Sequence, residues 1–304
     1  MARMSAVPAE PAAAPFVVAA LYQFRALPDP EGLRERLLAL GQAEGLCGTL
    51  IVAHEGLNGT VAGSRTGIDR LRAALHAEGF DRLEDKESWA TEQPFKRFKV
   101  RLKTEIVTMG VPVEPTSQAG QYVAAQDWNA LITAPDVVVI DTRNRYEVKA
   151  GTFEGAVNPE IDSFREFPAW LDAHADELSG KRVAMFCTGG IRCEKSTSLL
   201  RARGYQDVFH LQGGILKYLE DVPETQSRWQ GECFVFDGRV TVGHGLREGG
   251  AAMCHSCGWP LTPEERDHLQ YEEGVSCQHC HAQTTAAQKA AFRDRQRLYD
   301  AQAR

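Results

Sequence analysis

The sequence predicts a multidomain chain of mixed α+β and α/β architecture that ends in a small cysteine-rich unit. Three observations carry this expectation. Residues 16–107 alternate short apolar runs with two helical stretches. The runs 137–140 and 183–186 are compact and apolar, as buried parallel strands require. Beyond Pro223 such runs give way to Gly, Cys and His, a composition that buries little core and calls for another source of stability. At 304 residues the chain also exceeds one small core, because domains cluster near ~100 to 200 residues.

In the first unit, residues 16–24 read as a strand, and Asp29 caps a helix whose apolar face is Leu33, Leu37, Leu38 and Leu40. Short strands at 49–53 and 60–62 flank a turn at Gly56-Leu57-Asn58-Gly59, where Asn58-Gly59 is hairpin chemistry. A second helix spans 66–77 and is ended by Gly79, and strands at 82–90 and 95–104 finish the unit. This order is that of a ferredoxin-like sandwich over 16–108. Residues 109–120, with Pro112, Pro115, Ser117 and Gly120, read as a linker. An open parallel sheet flanked by helices is expected over 121–225, a cysteine-rich segment over 226–285, and a polar tail, mobile or helical, over 286–304.

Composition narrows the function. With 43% hydrophobic and 25% charged residues, the chain reads as soluble and globular, and no apolar run approaches the ~20 residues of a membrane span. Residues 1–15 read as a flexible tail rather than a signal peptide, so a cytoplasmic location and no membrane partner are expected. A net charge of -7 argues against indiscriminate nucleic-acid binding but leaves room for a local basic stripe. In the strand 98–103, Lys99, Arg101 and Lys103 alternate with Phe98, Val100 and Leu102, so one face is expected to be basic and the other buried; Lys96 and Arg97 extend the charge. Such a stripe can hold RNA phosphates, and it equally suits a solvated sheet face.

The strongest chemical signal follows the second apolar run. Cys187 leads into Thr188, Gly189, Gly190, Ile191 and Arg192 and then a helix through Ser196 and Leu200. Glycines let the amides turn inward, the helix start adds a positive dipole end, and Arg192 adds a full charge. Together they favour a thiolate at Cys187 near neutral pH. Asp141 and Arg143 follow the other strong strand, at the sheet edge where ligands sit, and with Glu147 and Lys195 are candidates for the same pocket. Asp141 and Arg143 equally suit a structural ion pair. Cys193 reads as a packing residue, with resolution of an oxidised Cys187 as the alternative.

Cys254, Cys257, Cys277 and Cys280 form two C-x-x-C knuckles at zinc-ribbon spacing. Four thiolates suit structural Zn(II), with iron as the alternative, and metal binding would stabilise this core-poor segment.

The 141–143 triplet, residues 151–158, the loop from Cys187 to Arg192 and residues 211–214 resemble rhodaneses. That resemblance implies a persulfide-forming role for Cys187. Related dual-specificity phosphatases use a loop one residue longer, and Cys193 stands where their arginine would be, which disfavours a phosphatase. More of the chain, with the stretches 48–60, 98–108, 187–195 and 231–237 in order, resembles bacterial rhodanese-domain tRNA uridine hydroxylases. The resemblance implies an oxidoreductase that uses molecular oxygen to hydroxylate carbon 5 of the wobble uridine, with the tRNA anticodon region as partner. The electron donor is not indicated: no G-x-G-x-x-G opens a strand-helix unit and no facial triad is evident. A sulfurtransferase using a Cys187 persulfide and an RNA-binding redox sensor are the alternatives.

Overall fold

A computed structural model describes residues 16–302; the expected tail at 1–15 lies outside them. The N-terminal unit runs β1 (Phe16–Phe24), α1 (Pro30–Ala43), β2 (Cys47–Ala53), β3 (Gly56–Gly63), α2 (Arg65–Ala77), β4 (Glu84–Ala90) and β5 (Phe98–Leu102). Asp29 caps α1 by accepting from the Gly32 amide at 2.9 Å, and Ser64 caps α2. The sheet order is β4-β1-β3-β2-β5, with β5 parallel to β2 and the other pairs antiparallel. This is the expected ferredoxin-like arrangement with one added edge strand. Strand alternation sends Val17, Ala19 and Leu21 into a core with Leu33, Leu37, Ile68 and Leu71 of the helices. The opposite sheet face carries Val18, Ala20 and Tyr22 toward the rest of the protein.

The expected turn at 56–59 is not a turn. The chain reverses at His54-Glu55, and Gly56 through Gly59 are strand residues paired with both β1 and β2. A Cβ on Gly59 would collide with the Thr49 carbonyl, and one on Gly56 with the Gln23 carbonyl. These glycines permit close strand approach rather than reversal.

Residues 107–113 are anchored at alternate positions: Met109 is 1% exposed and joins a core with Ile140, Phe167 and Met185, and Val107, Val111 and Val113 pack against it. Then come α3 (Pro115–Gln118), β6 (Gln121–Val123), α4 (Ala125–Ile132), β7 (Val137–Asp141), α5 (Arg145–Ala150), β8 (Gly151–Phe153), α6 (Phe167–Ala173), α7 (Ala175–Leu178), β9 (Arg182–Phe186), α8 (Ile191–Ala202), β10 (Val208–Leu211) and α9 (Gly214–Asp221). Strands β6-β10-β9-β7 form a parallel sheet, with apolar clusters on its two sides.

The C-terminal region departs from expectation. β11 (Trp229–Gly231) pairs with β8, and Trp229, Cys233, Val235, Val242 and Leu246 complete the core built on β7 and β9. Only after the short pair β12 (Cys233–Phe234) and β13 (Thr241–Val242) does the core-poor part begin. It contains β14 (Ala252–Met253), β15 (Pro260–Leu261), α10 (Pro263–Arg266) and α11 (Ala286–Gln302). The last is a helix docked by Arg295, which donates to the carbonyls of His255 and Gly274 at 3.2 and 3.0 Å.

Lys195 of α8 joins the two larger units. Its ammonium lies 2.8 Å from Glu55 in the β2-β3 turn and 2.7 Å from Glu105, with the Lys195 side chain 2% exposed. Removing one partner of a buried pair strands the other charge. Because both carboxylates are partly solvated, Lys195→Ala is expected to lower unfolding stability by about 2 kcal/mol, read from the urea midpoint. An unchanged midpoint would show that the pair contributes nothing to the domain junction.

Candidate active site and metal centre

Cys187 follows β9, and its sulfur accepts the Gly190 amide at 3.1 Å. Gly190, at φ 102°, is the left-handed residue that opens α8. Its missing side chain also admits the N-terminal unit: a Cβ there would lie 2.9 Å from the Tyr22 hydroxyl. Gly214, at φ 67°, closes the loop from below, where a Cβ would strike the carbonyls of Cys187 and Thr188. The amides of Ile215 and Leu216 donate to those carbonyls at 3.0 and 3.1 Å.

Arg192 does not point at Cys187 as a free charge. It forms a bidentate pair with Glu147, both bonds 2.7 Å, and Glu147 is fully buried. Burial works against the Glu147 carboxylate, but the Arg192 charge and hydrogen bonds hold its pKa below the usual value. Glu147 also accepts from the Thr188 hydroxyl at 3.3 Å, so it braces the loop rather than presenting a carboxylate to a ligand. Asp141 and Arg143 pair with each other at 2.7 Å, both fully buried, and Arg143 also donates to the Glu147 and Gly151 carbonyls and lies over Trp229. That pair ties β7 to α5 and β8. Lys195 serves the domain junction. The four expected pocket residues Asp141, Arg143, Glu147 and Lys195 thus lie behind the cavity walls.

The cavity itself measures about 640 Å³ and lies between the units. Cys187, Thr188, Gly189, Ile191 and Arg192 supply one wall; the open face of the N-terminal sheet, with Tyr22, Thr49, Asn58 and Lys86, supplies another. Arg239 and Phe236 enter from the C-terminal strap, where Arg239 donates to Ser88 of β4 at 2.7 Å. Sequence reasoning missed this second wall, although the alternation of β1 does mark Val18, Ala20 and Tyr22 as a separate face.

Burial disfavours a charge on Cys187, yet a hydrogen bond from Cys193, the Arg192 charge and the amides of Cys193 and Gly190 outweigh it and bring the thiol down to about 5. The neighbouring Cys193 thiol moves up, through burial and the adjacent Cys187 charge.

Lys96, Arg97, Lys99, Arg101 and Lys103 lie on or beside the sheet-edge strand β5. Lys99 is pushed down by the charges of Arg97 and Arg101, a sign of crowded cations. Lys96 is partly engaged over the Tyr299 ring at 4.9 Å. The expected buried face holds at Val100, is partly kept at Phe98, which packs against the same core, and fails at Leu102, the last residue of β5, which is 38% exposed.

Cys254, Cys257, Cys277 and Cys280 converge, with all four sulfurs within 4.8 Å of one another. The separations of 3.7 Å for Cys257–Cys277, 3.9 Å for Cys277–Cys280 and 4.0 Å for Cys254–Cys280 match the edge of about 3.8 Å of a tetrahedron with metal–sulfur bonds of about 2.3 Å. The donor set therefore fits a four-thiolate metal.

Residues 16–106 match the UPF0176 acylphosphatase like domain, and residues 124–221 match the rhodanese-like domain. The chain is 72% identical over 291 residues to a tRNA uridine(34) hydroxylase of Deinococcus radiodurans, spanning 96% of this chain and 97% of that one. The chain belongs to the tRNA uridine(34) hydroxylase family. Members from Acinetobacter baumannii, 56% identical over 94% of this chain and 91% of theirs, and from Roseobacter denitrificans, 55% identical over 93% and 96%, extend the match. Both domain matches and the four-cysteine cluster thus sit within one family chain.

Two outcomes test this geometry. The Cys187 value near 5 lies below the ~8.5 of a free thiol. The fold therefore favours the ionised form: its contribution to stability is complete above ~8.5 and is lost as pH falls through about 5. The 240 nm thiolate absorbance of wild type minus Cys187→Ser should titrate near pH 5; a midpoint near that of a free thiol would refute the anion-holding loop. Cys254→Ser/Cys257→Ser protein should lose stoichiometric bound metal and amide-exchange protection over 252–284 while keeping the Cys187 thiolate signal. Retained protection would remove the metal's structural role.

Proposed function

We propose that this protein hydroxylates carbon 5 of uridine 34 in tRNA, with Cys187 as the nucleophile that activates the base. The observation that carries the reading is a thiolate in the wall of a cavity of about 640 Å³ between the two larger units, in a chain 72% identical to a tRNA uridine(34) hydroxylase. That volume falls in the range of about 300 to 1,000 Å³ of small-molecule sites and suits one extruded nucleotide. The same relatives, full-length matches under one name, favour hydroxylation over the sulfurtransferase and redox-sensor readings.

The chemistry follows from the thiolate. Addition of the Cys187 sulfur to carbon 6 breaks the carbon 5–carbon 6 double bond and moves its electron pair toward carbon 5 and the carbon 4 oxygen. Carbon 5 becomes the nucleophilic centre that meets oxygen. Lys86 of β4, which lines the cavity and lies 3.5 Å from Glu84, is the ammonium that would meet the developing oxyanion. Overall, one atom of molecular oxygen enters the carbon 5–hydrogen bond and the other leaves as water, which consumes two electrons and two protons.

The basic edge of β5, Lys96 through Lys103, would hold phosphates of the anticodon stem-loop, a charge-based contact that positions without reading sequence. The four cysteines would hold Zn(II) as a structural ion, since four protein thiolates leave no open coordination position. Among the described residues no helix is long and apolar enough to cross a membrane. A tRNA substrate supports a cytoplasmic location.

The test is nucleoside analysis of tRNA from cells lacking the protein, complemented with wild type or Cys187→Ser. Oxygen insertion and oxygen-to-sulfur exchange raise the nominal mass equally, so accurate mass and chromatographic standards are needed. Loss of 5-hydroxyuridine, restored by wild type and reduced at least about 100-fold with Cys187→Ser, is expected. Full restoration by Cys187→Ser would overturn the nucleophile.

A further inference from the structure

Oxygen insertion requires two electrons per turnover, and Cys193 is a buried nucleophilic group so far without a part in the chemistry. It is held by the same turn as Cys187. The Gly190 amide donates to the Cys187 sulfur at 3.1 Å, and the Gly190 carbonyl accepts the Cys193 amide at 3.0 Å. Both cysteines are fully buried in one cluster, and the Cys187 charge acts on the Cys193 thiol. On its other side Cys193 meets the Thr142 hydroxyl at 3.7 Å. Cys187 lines the cavity and Cys193 does not. The arrangement is an outer thiol that lines the cavity and an inner thiol behind it, set between the outer one and Thr142.

We propose that Cys187 and Cys193 form the immediate two-electron reductant of the oxygenation, with Cys193 resolving an oxidised Cys187 into a disulfide that an external thiol then reduces. The inference rests on the hydroxylase reading. After the Cys187 sulfur has added to carbon 6, oxygen bonds to carbon 5 and takes up a proton to give a hydroperoxide. Loss of the carbon 5 proton restores the ring double bond and expels the Cys187 thiolate. The freed thiolate attacks the outer peroxide oxygen; the oxygen–oxygen bond breaks, the inner oxygen stays on carbon 5 as the hydroxyl, and Cys187 becomes a sulfenic acid. The Cys193 sulfur then attacks the Cys187 sulfur, and the hydroxyl leaves with the Cys193 proton as water. Uridine, molecular oxygen and two thiols thus yield 5-hydroxyuridine, water and one disulfide. Two equivalents of a small thiol, or one dithiol, reduce the disulfide by exchange. A Cys193 thiol that stays protonated beside an ionised Cys187 suits this order, because it keeps its proton until water departs.

The experiment uses reduced, metal-loaded full-length protein with tRNA lacking 5-hydroxyuridine, in air, with dithiothreitol either absent or titrated. Without dithiothreitol, wild type should form no more than one 5-hydroxyuridine per chain and end with a Cys187–Cys193 disulfide by peptide mass spectrometry. Dithiothreitol should restore many turnovers. Cys193→Ser should end with Cys187 trapped by dimedone and turn over at least tenfold more slowly than wild type at limiting dithiothreitol. Many wild-type turnovers without thiol, or no disulfide after one, would overturn the role of Cys193 while leaving the hydroxylase reading intact; neither observation depends on the variant folding. Equal rates for wild type and Cys193→Ser at every dithiothreitol concentration would do the same. Wild type that makes no product even with excess dithiothreitol would overturn the hydroxylase reading and this inference together.

Discussion

The structure depends on holding one negative sulfur in a buried place. An isolated buried anion would be neutralised by its own desolvation. Here the start of α8 and the Gly190 amide face the Cys187 sulfur, and Arg192 brings a charge close by. Arg192 is itself too deeply buried to stand alone, and Glu147 pairs with it at 2.7 Å. Glu147 in turn is held by the Thr188 hydroxyl and by a capping box with Asn144 at the start of α5. One anionic sulfur thus organises a chain of buried charges that reaches a second helix, and beyond it the Asp141–Arg143 pair secures β7 to β8.

The same helix makes the domain junction. From Arg192 through Leu200 every residue of α8 is buried, although Glu194, Lys195, Ser196, Thr197 and Ser198 are polar. Most of these find partners on other elements. Tyr22 donates to Glu194 at 2.9 Å, Glu55 and Glu105 flank Lys195, and the Gly120 amide donates to Thr197 at 2.9 Å. Burial raises the Glu194 carboxyl to about 7, so the junction holds a proton that ordinary carboxyls release far lower. The N-terminal sheet is therefore packed onto the reactive loop itself, and the cavity exists only because both are present.

The C-terminal region has two roles that its composition blends into one. Trp229 through Leu246 complete the core of the parallel-sheet unit and, through Arg239, reach back to β4. The four-cysteine knuckle then follows as a small unit that leans on α5, with Arg145 over the Trp259 ring and the Trp259 and His279 rings stacked 4.2 Å apart.

Local chemistry was readable without coordinates wherever short-range rules decide it. Dense apolar runs marked β7 and β9, Asp29 marked its helix start, Cys187 with its glycines marked a thiolate loop, and the cysteine spacing marked the metal knuckle. The sequence alone therefore determined where these elements lie and which sulfur its surroundings favour as a thiolate. Partners far apart in the chain were not readable. The Gly56–Gly59 stretch has the composition of a turn, yet close strand approach on both sides makes it strand. Arg143 and Glu147 have the composition of ligand-binding residues, yet Asp141 and Arg192 consume their charges. Nothing next to Glu55 in the chain names its partner, Lys195, 140 positions later. Only the tertiary structure decided which charges meet each other and which face the cavity, because a buried charge is defined by what surrounds it in space rather than by its neighbours in the chain.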